Sequence, residues 1–188
     1  MKKWLFLILL FPLTCVAQTY RYLGVEDGLS NRRVYCIQKD KTGYMWFLTH
    51  EGIDRYNGKE FKRYKLMDGD AEVNSLLNLN WLYIDQEGVL WEIGKKGKVF
   101  RYDQIHDCFS LVYKLPMESF SEQPDPVTYA WLDQNKHIWL CNKDTIFLYN
   151  TDTKQVTHIK NDISEEITDI EQIDESHFFI GTEMGIHY

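Results

Sequence analysis

Little in this chain points to reaction chemistry. Proline is scarce, with four residues in 188, and 44% of the chain is hydrophobic and 15% aromatic. That composition excludes a disordered or low-complexity protein. Positive charge is not in surplus: 21 Lys and Arg stand against 28 Asp and Glu, for a formal net charge of -7, and no basic stripe appears. This argues against nucleic acid as a partner. No GxSxG, Walker or Gly-rich dinucleotide motif occurs. The six histidines (His50, His106, His137, His158, His177, His187) show neither HxH nor HExxH spacing, so no metal and no cofactor is expected. After residue 17 the cysteines are Cys36, Cys108 and Cys141, an odd number that argues against a disulfide framework. The longest apolar run, residues 4–13, is too short to span a membrane.

That run belongs to a targeting segment. Met1-Lys2-Lys3 is a basic start, residues 4–13 are an apolar core, and Cys15-Val16-Ala17 offers small residues where a signal peptidase reads. Residues 1–17 are read as a signal peptide cleaved between Ala17 and Gln18, so the chain is expected to be exported. The other reading, lipid attachment at Cys15, is disfavoured by Thr14, which stands where a lipid-attachment motif carries Gly, Ala or Ser.

What the chain has in quantity is repetition. Residues 34–57, VYCIQKDKTGYMWFLTHEGIDRYN, parse into three β-rich runs separated by turns at Asp40-Lys41-Thr42-Gly43 and Glu51-Gly52, with a hairpin signal at Asn57-Gly58 and a fourth run after it. Imperfect copies follow. From the first apolar residue to an aromatic is 12 residues in each: Val34 to Trp46, Leu79 to Trp91, Val127 to Trp139, Ile167 to Phe179. Ile37, Leu82, Ala130 and Ile170 recur three residues into each copy. Asp40, Asp85 and Asp133 recur six residues in, while Asp174 comes one place late. Gly52, Gly97 and Gly185 recur six residues after the aromatic, and Tyr56, Tyr102 and Tyr149 close three of the units. Successive aromatics lie 45, 48 and 40 residues apart. Four-stranded units at that period predict an all-β fold of β-propeller blades, each a four-stranded antiparallel meander.

The blades are placed at about 34–66, 79–114, 127–160 and 167–188, so that about three and a half are present in an incomplete ring, with 18–188 as the partial propeller domain. Residues 20–23 form a short β-rich run without a blade ahead of it and are assigned as a strand that closes the ring. Residues 115–126, with three prolines, are assigned to a surface loop. The chain is expected to be a fragment of a longer protein, with an open arc of blades.

Each repeated residue has a structural and a chemical reading, and repetition favours the structural one, because an active site is usually made once. The Asp column opens turns. The aromatic column packs between blades. Cys141 falls in the column of Leu48 and Ile93, and Cys36 in that of Trp81 and Tyr129, as buried apolar substitutes. Trp131 faces either the neighbouring blade or the central channel. No catalytic residue is assigned, and the ligand-binding residues are unknown at this level.

Residues 26–34 (EDGLSNRRV), Ile37, Asp40, Gly43, Trp46-Phe47, Thr49, Gly52-Ile53 and Arg55-Tyr56-Asn57-Gly58 together resemble the two-component regulator propeller repeat. The first copy is a close match and the third is worn. Leu48 stands where the repeat carries Gly, and Asn142-Lys143 where it carries Thr and a variable residue. The resemblance covers residues 20–188. It implies the N-terminal periplasmic sensor region of a Bacteroidetes hybrid two-component system, whose relatives are anchored in the inner membrane and carry a histidine kinase. Such sensors detect oligosaccharides and regulate polysaccharide-utilisation genes. The implied partners are an oligosaccharide, the remainder of the propeller and a dimer partner. The chain itself is expected not to be an enzyme. The alternatives are an exported propeller enzyme acting on glycans and a secreted interaction scaffold.

Overall fold

The computed structural model describes residues 20–73, 79–115 and 127–188. The signal segment with its cleavage at Ala17 and Gln18, and the loop expected at 115–126 apart from Leu115, lie outside them. The described chain is all β apart from one 3-10 turn, Val25–Asp27. The first sheet is a meander of β1 (Val34–Lys39), β2 (Met45–Thr49), β3 (Gly52–Tyr56) and β4 (Phe61–Tyr64). The second contains β7 (Leu79–Ile84), β8 (Leu90–Gly94), β9 (Lys98–Asp103) and β10 (Cys108–Lys114). The third runs through β11 (Tyr129–Leu132), β12 (His137–Cys141), β13 (Thr145–Asn150) and β14 (Val156–Lys160). The fourth has three strands, β15 (Ile167–Gln172), β16 (Phe178–Thr182) and β17 (Gly185–His187).

Two features differ from the sequence expectation. Residues 20–23 form no strand, and Tyr20 and Tyr22 stand exposed; β-rich composition makes a strand only where a sheet edge receives it, and none of the described sheets does. The chain instead turns at Gly24. Further on, β5 (Leu66–Asp68) and β6 (Ala71–Val73) make a hairpin that adds to the outer edge of the second sheet, with β5 parallel to β10, giving the order β6-β5-β10-β9-β8-β7. The chain leaving one blade thus covers the outer edge of the next, which shields an edge strand.

Three apolar clusters fill the junctions between successive sheets. Trp46, Leu48 and Ile53 of the first sheet pack on Leu82, Leu90, Phe100 and Phe109 of the second. Trp91, Ile93 and Val99 pack on Ala130, Ile138, Leu140 and Tyr149 of the third. Trp139, Cys141 and Ile146 pack on Ile167 and Ile170 of the fourth. Strand alternation explains the pattern: one face of each blade meets the preceding blade and the other the following one. The first strands of the four sheets, β1, β7, β11 and β15, lie side by side as the inner ring. A register shift interrupts the start of three of them, between Val34 and Cys36, Leu79 and Trp81, and Ile167 and Asp169. That repeated bulge is characteristic of a barrel or channel rim.

The ends of the arc show the same columns without partners. Ile37 is 55% exposed, whereas Leu82, Ala130 and Ile170 are 1% or less. Phe179 is 45% exposed, whereas Trp46, Trp91 and Trp139 are 1%, 3% and 7%. No described sheet packs on either face.

Candidate functional site

The Asp and aromatic columns turn out to be one device. Asp40 Oδ1 accepts from the backbone N–H of Thr42 (2.9 Å) and Tyr44 (3.0 Å), closing the turn, while Oδ2 accepts from the Trp46 indole at 2.7 Å. Asp85 does the same for Glu87, Val89 and the Trp91 indole (2.8 Å), and Asp133 for His137 and the Trp139 indole (2.9 Å). One carboxylate therefore caps the turn between the first two strands and fixes the ring that fills the junction. Burial works against the Asp40 charge, but the bonds from Thr42, Trp46 and Tyr44 outweigh it and hold the carboxyl below 3.8. In the fourth sheet Ile173 takes the Asp place, donating its N–H to His177 as Asp40 does to Tyr44, and the aromatic is Phe179, which has no N–H to give. Asp174 instead caps Ser176 and His177.

The turn itself needs a left-handed residue. Gly43 (φ 95°) and Gly88 (φ 91°) supply it in the first two blades, and Lys136 (φ 65°) in the third. Lys136 is held there by Glu87 at 2.5 Å and Asp152 at 2.9 Å, the first of these bonds crossing from the second blade to the third.

A third member completes the arrangement. Arg55 pairs across the strands with Trp46 and sits 5.4 Å over its ring and 4.4 Å over that of Tyr44. Arg101 pairs with Trp91 and lies 5.9 Å over it. Leu148 occupies that place opposite Trp139.

The connector ahead of the first blade is pinned by its polar residues. Ser30 donates its N–H (2.9 Å) and Oγ (2.5 Å) to Asp54 Oδ2 and its hydroxyl lies 2.8 Å from that of Thr49, while Asn31 donates to Glu51. Burial pushes the Asp54 carboxyl up in spite of the Ser30 bonds. Cys36, Cys108 and Cys141 are free thiols. Trp131 faces the neighbouring blade, 6.1 Å from Phe178. Gly52, Gly97 and Gly185 all open the third strand or the turn before it with positive φ.

Clefts open where blades meet. One of about 500 Å³ lies between the first and second blades at the end that carries the Asp turns; Asp40, Tyr44, Arg55, Glu87, Arg101 and Asp103 are among its walls. A smaller one of about 230 Å³ repeats the position between the second and third blades. On the opposite end, between the third and fourth, Thr128, Asn142, Lys143, Asn161, Ser164 and Glu165 line a polar cleft of about 260 Å³. Among the described residues no group of three His, Cys, Asp or Glu is placed to hold a metal. Among them, too, no helix is long and apolar enough to cross a membrane.

Sheets in meander order, packed face to face through one aromatic column around an inner ring of first strands, define a β-propeller. Residues 28–51 match the family described as Two component regulator propeller; this stretch runs from the pinned connector through β1 and β2 and contains the Asp40–Trp46 pair. The chain therefore carries the two-component regulator propeller repeat. Among solved structures it is similar to two extracellular domains of hybrid two component systems from B. thetaiotaomicron. One is 24% identical with a TM-score of 0.67, over 89% of this chain and 26% of that one. The other is 21% identical with a TM-score of 0.69, over 91% and 23%. A catalytically inactive virginiamycin B lyase from Staphylococcus aureus, solved with quinupristin, is 17% identical with a TM-score of 0.59, over 85% and 56%. These likenesses establish the propeller fold. The chain spans about a quarter of the length of the first two. A comparison with curated proteins finds no match.

Proposed function

We propose that the chain is the ligand-sensing part of an exported two-component sensor, and that its ligand is an oligosaccharide. The observation that carries this reading is the two-component regulator propeller repeat at residues 28–51, set in a fold shared with extracellular domains of hybrid two component systems. The clefts support it. They lie between blades and have polar walls, and the one between the first and second blades, with Tyr44, Trp46 and Tyr102 in its lining, reaches the size of a small-molecule site.

The chemistry of the cleft between the first two blades favours binding over catalysis. Its carboxylates are each committed: Asp40 to a turn and an indole, Glu87 to Lys136, and Asp103 to His106 and the backbone N–H of Ile105. A glycosidase or lyase needs a convergent pair of groups free to move a proton. In the sensing reading the chain works in the periplasm, and the signal reaches gene regulation through parts that lie elsewhere in the sensor.

The test is calorimetric titration of the purified chain against a panel of oligosaccharides, with the same mixtures followed for products by chromatography. Saturable binding without turnover is the expected result. Product formation removes the sensing reading in favour of an enzyme, and a cooperatively folded chain that binds no saccharide removes it outright.

A further inference from the structure

We propose that the polar cleft between the third and fourth blades binds one ring of a neutral saccharide through two adjacent hydroxyls, with Asn142 and Lys143 as donors and Glu166 as acceptor. This deepens the sensing reading and rests on it. The cleft lies at the end where the chain crosses from one blade to the next. One wall is the turn between β12 and β13, with Asn142 and Lys143, and another is the connector into β15, with Asn161, Ser164, Glu165 and Glu166.

Asn142 sets this cleft apart from the repeat. Three places after the column aromatic stand Thr49, Gly94, Asn142 and Thr182 in successive sheets. The Thr49 hydroxyl accepts from the N–H of Glu51 and donates to the Gly52 carbonyl, and Thr182 does the same with Met184 and Gly185. Asn142 caps its turn with one atom alone: Oδ1 accepts from the N–H of Asp144 (3.1 Å) and Thr145 (2.7 Å). Only the oxygen can accept those bonds, so they fix which way the amide faces. Its Nδ2 is left without a partner among the described residues, on a residue that lines the cleft and is 3% exposed. A buried amide donor without a partner is costly, and a ligand hydroxyl would satisfy it.

The charges around it are open too. Lys143 and Glu166 line the same cleft, and neither has a partner among the described residues. Glu165 is partly committed. The Ser164 hydroxyl donates to its Oε1 at 2.8 Å and holds the carboxyl below 4.5, while Oε2 lies 3.4 Å from His187 Nε2. The walls are set in advance: Asn161 donates its Nδ2 to the Asn142 carbonyl and its N–H to the Asp144 carbonyl, each at 2.9 Å, which ties the connector to the turn.

An amide and an ammonium beside a carboxylate match two adjacent sugar hydroxyls. One hydroxyl donates to the carboxylate, and its neighbour accepts from the N–H groups. Two carboxylates against one ammonium disfavour an acidic sugar. At about 260 Å³ the cleft is smaller than a site that encloses a whole ligand, so one ring enters and the rest of the saccharide stays in solvent. The cleft between the first two blades is larger, but its carboxylates are already bonded within the protein.

The experiment titrates the chain with maltotriose, xylotriose and mannotriose, and with trigalacturonate as the acidic counterpart, read by calorimetry. The expected result is that at least one neutral probe binds, about tenfold or more tightly than trigalacturonate. For that probe Asn142→Thr, which keeps the cap used in the first and fourth blades but removes the amide, loses about tenfold, and so does Glu166→Ala. Lys59→Gln, beside the outer hairpin turn of the first blade, changes nothing. Each variant is melted alongside to show that it remains folded, and Glu166→Ala, at an exposed position, carries the test should Asn142→Thr unfold. Trigalacturonate binding as tightly as the best neutral probe, or unchanged affinity in the folded variants, overturns the inference and leaves the sensing reading standing. Failure of every saccharide to bind a cooperatively melting chain overturns both.

Discussion

Glu92 should be the costliest residue in the fold, and its replacement should stabilise the protein by an amount that grows with pH. The side chain is fully buried in the middle of β8, and neither carboxyl oxygen has a hydrogen-bond partner among the described residues. Its strand partners are Leu82 and Phe100, both in the junction between the first and second blades. Its register equivalents in the other sheets are apolar: Phe47, Leu140 and Ile180. Burial therefore pushes the Glu92 carboxyl well above 4.5.

The sign follows directly. Below pH 4.5 the group is neutral in both states, and the folded protein carries only the cost of an unbonded buried hydroxyl and carbonyl, about 1–3 kcal/mol. Above 4.5 the unfolded chain ionises and the folded chain does not, so the free energy of unfolding falls by about 1.4 kcal/mol per pH unit until the folded value is reached. Glu92→Leu removes both costs, so it should be more stable than the parent by about 1–3 kcal/mol at pH 4 and by roughly 2 kcal/mol more at pH 6. Glu92→Gln should remove the pH slope but keep an unbonded amide. Urea titrations of all three proteins at pH 4, 5, 6 and 7, read by tryptophan fluorescence, measure this. Stability curves for parent and Glu92→Leu that run parallel in pH, or a destabilised Leu variant, would refute the reasoning.

Trp91→Phe keeps the ring in the second junction but leaves Asp85 Oδ2 without its indole donor, so it should cost about 1–2 kcal/mol by denaturant titration, and the cost should largely disappear in an Asp85→Ala background. Gly97→Ala should cost several kcal/mol, because a Cβ there would lie 2.3 Å from Leu115 Cδ1 at a φ of 67°; the same substitution at Gly43, with φ 95° but open space, should cost only about 1 kcal/mol, and thermal melts compare the two. Burial pushes the Cys141 thiol up to about 12, so iodoacetamide at neutral pH should label half-buried Cys36 and Cys108 before Cys141, as peptide mass mapping would show.

The repeat was legible because its strands are local. The 12-residue spacing counts one strand, one turn and the start of the next, all paired with near neighbours, and the columns it defines coincide with the register of all four sheets. The hydrogen bond joining two of those columns was also written in the sequence, though only in the copies taken together. Asp stands six residues before Trp three times, and in the fourth copy, where Trp gives way to Phe, the Asp moves out of place. A residue that only opened a turn would have no reason to move with the ring. The β5–β6 hairpin was not legible. Its strands have three residues each, and its partner Phe109 lies over forty residues from Leu66, so no local pattern announces the pairing. Residues 20–23 pair with no described sheet: composition supplied a β preference, but pairing needs a sheet edge that no local pattern names. The clefts could not be read at all, since their walls come from residues brought together only by the angle between blades.

Those walls give the junction between the first two blades a particular balance. In a repeat protein each unit is stabilised largely by its contacts with the next, so the junctions set how cooperatively the whole array holds together. The first junction has the densest aromatic packing around Trp46, with Tyr64, Tyr102 and Phe109 at 4.8–5.9 Å. It also carries the unbonded carboxyl of Glu92 and opens, at its mouth, into the cleft of about 500 Å³. Packing holds the two blades together while the buried carboxyl works against it. A ligand seated in that cleft would touch both blades at once and add its binding free energy to this junction. At a ligand concentration one hundred times Kd that is about 2.7 kcal/mol, comparable with the cost assigned to Glu92. The junction that buries an unbonded carboxyl is therefore the one at which a bound ligand would offset that cost.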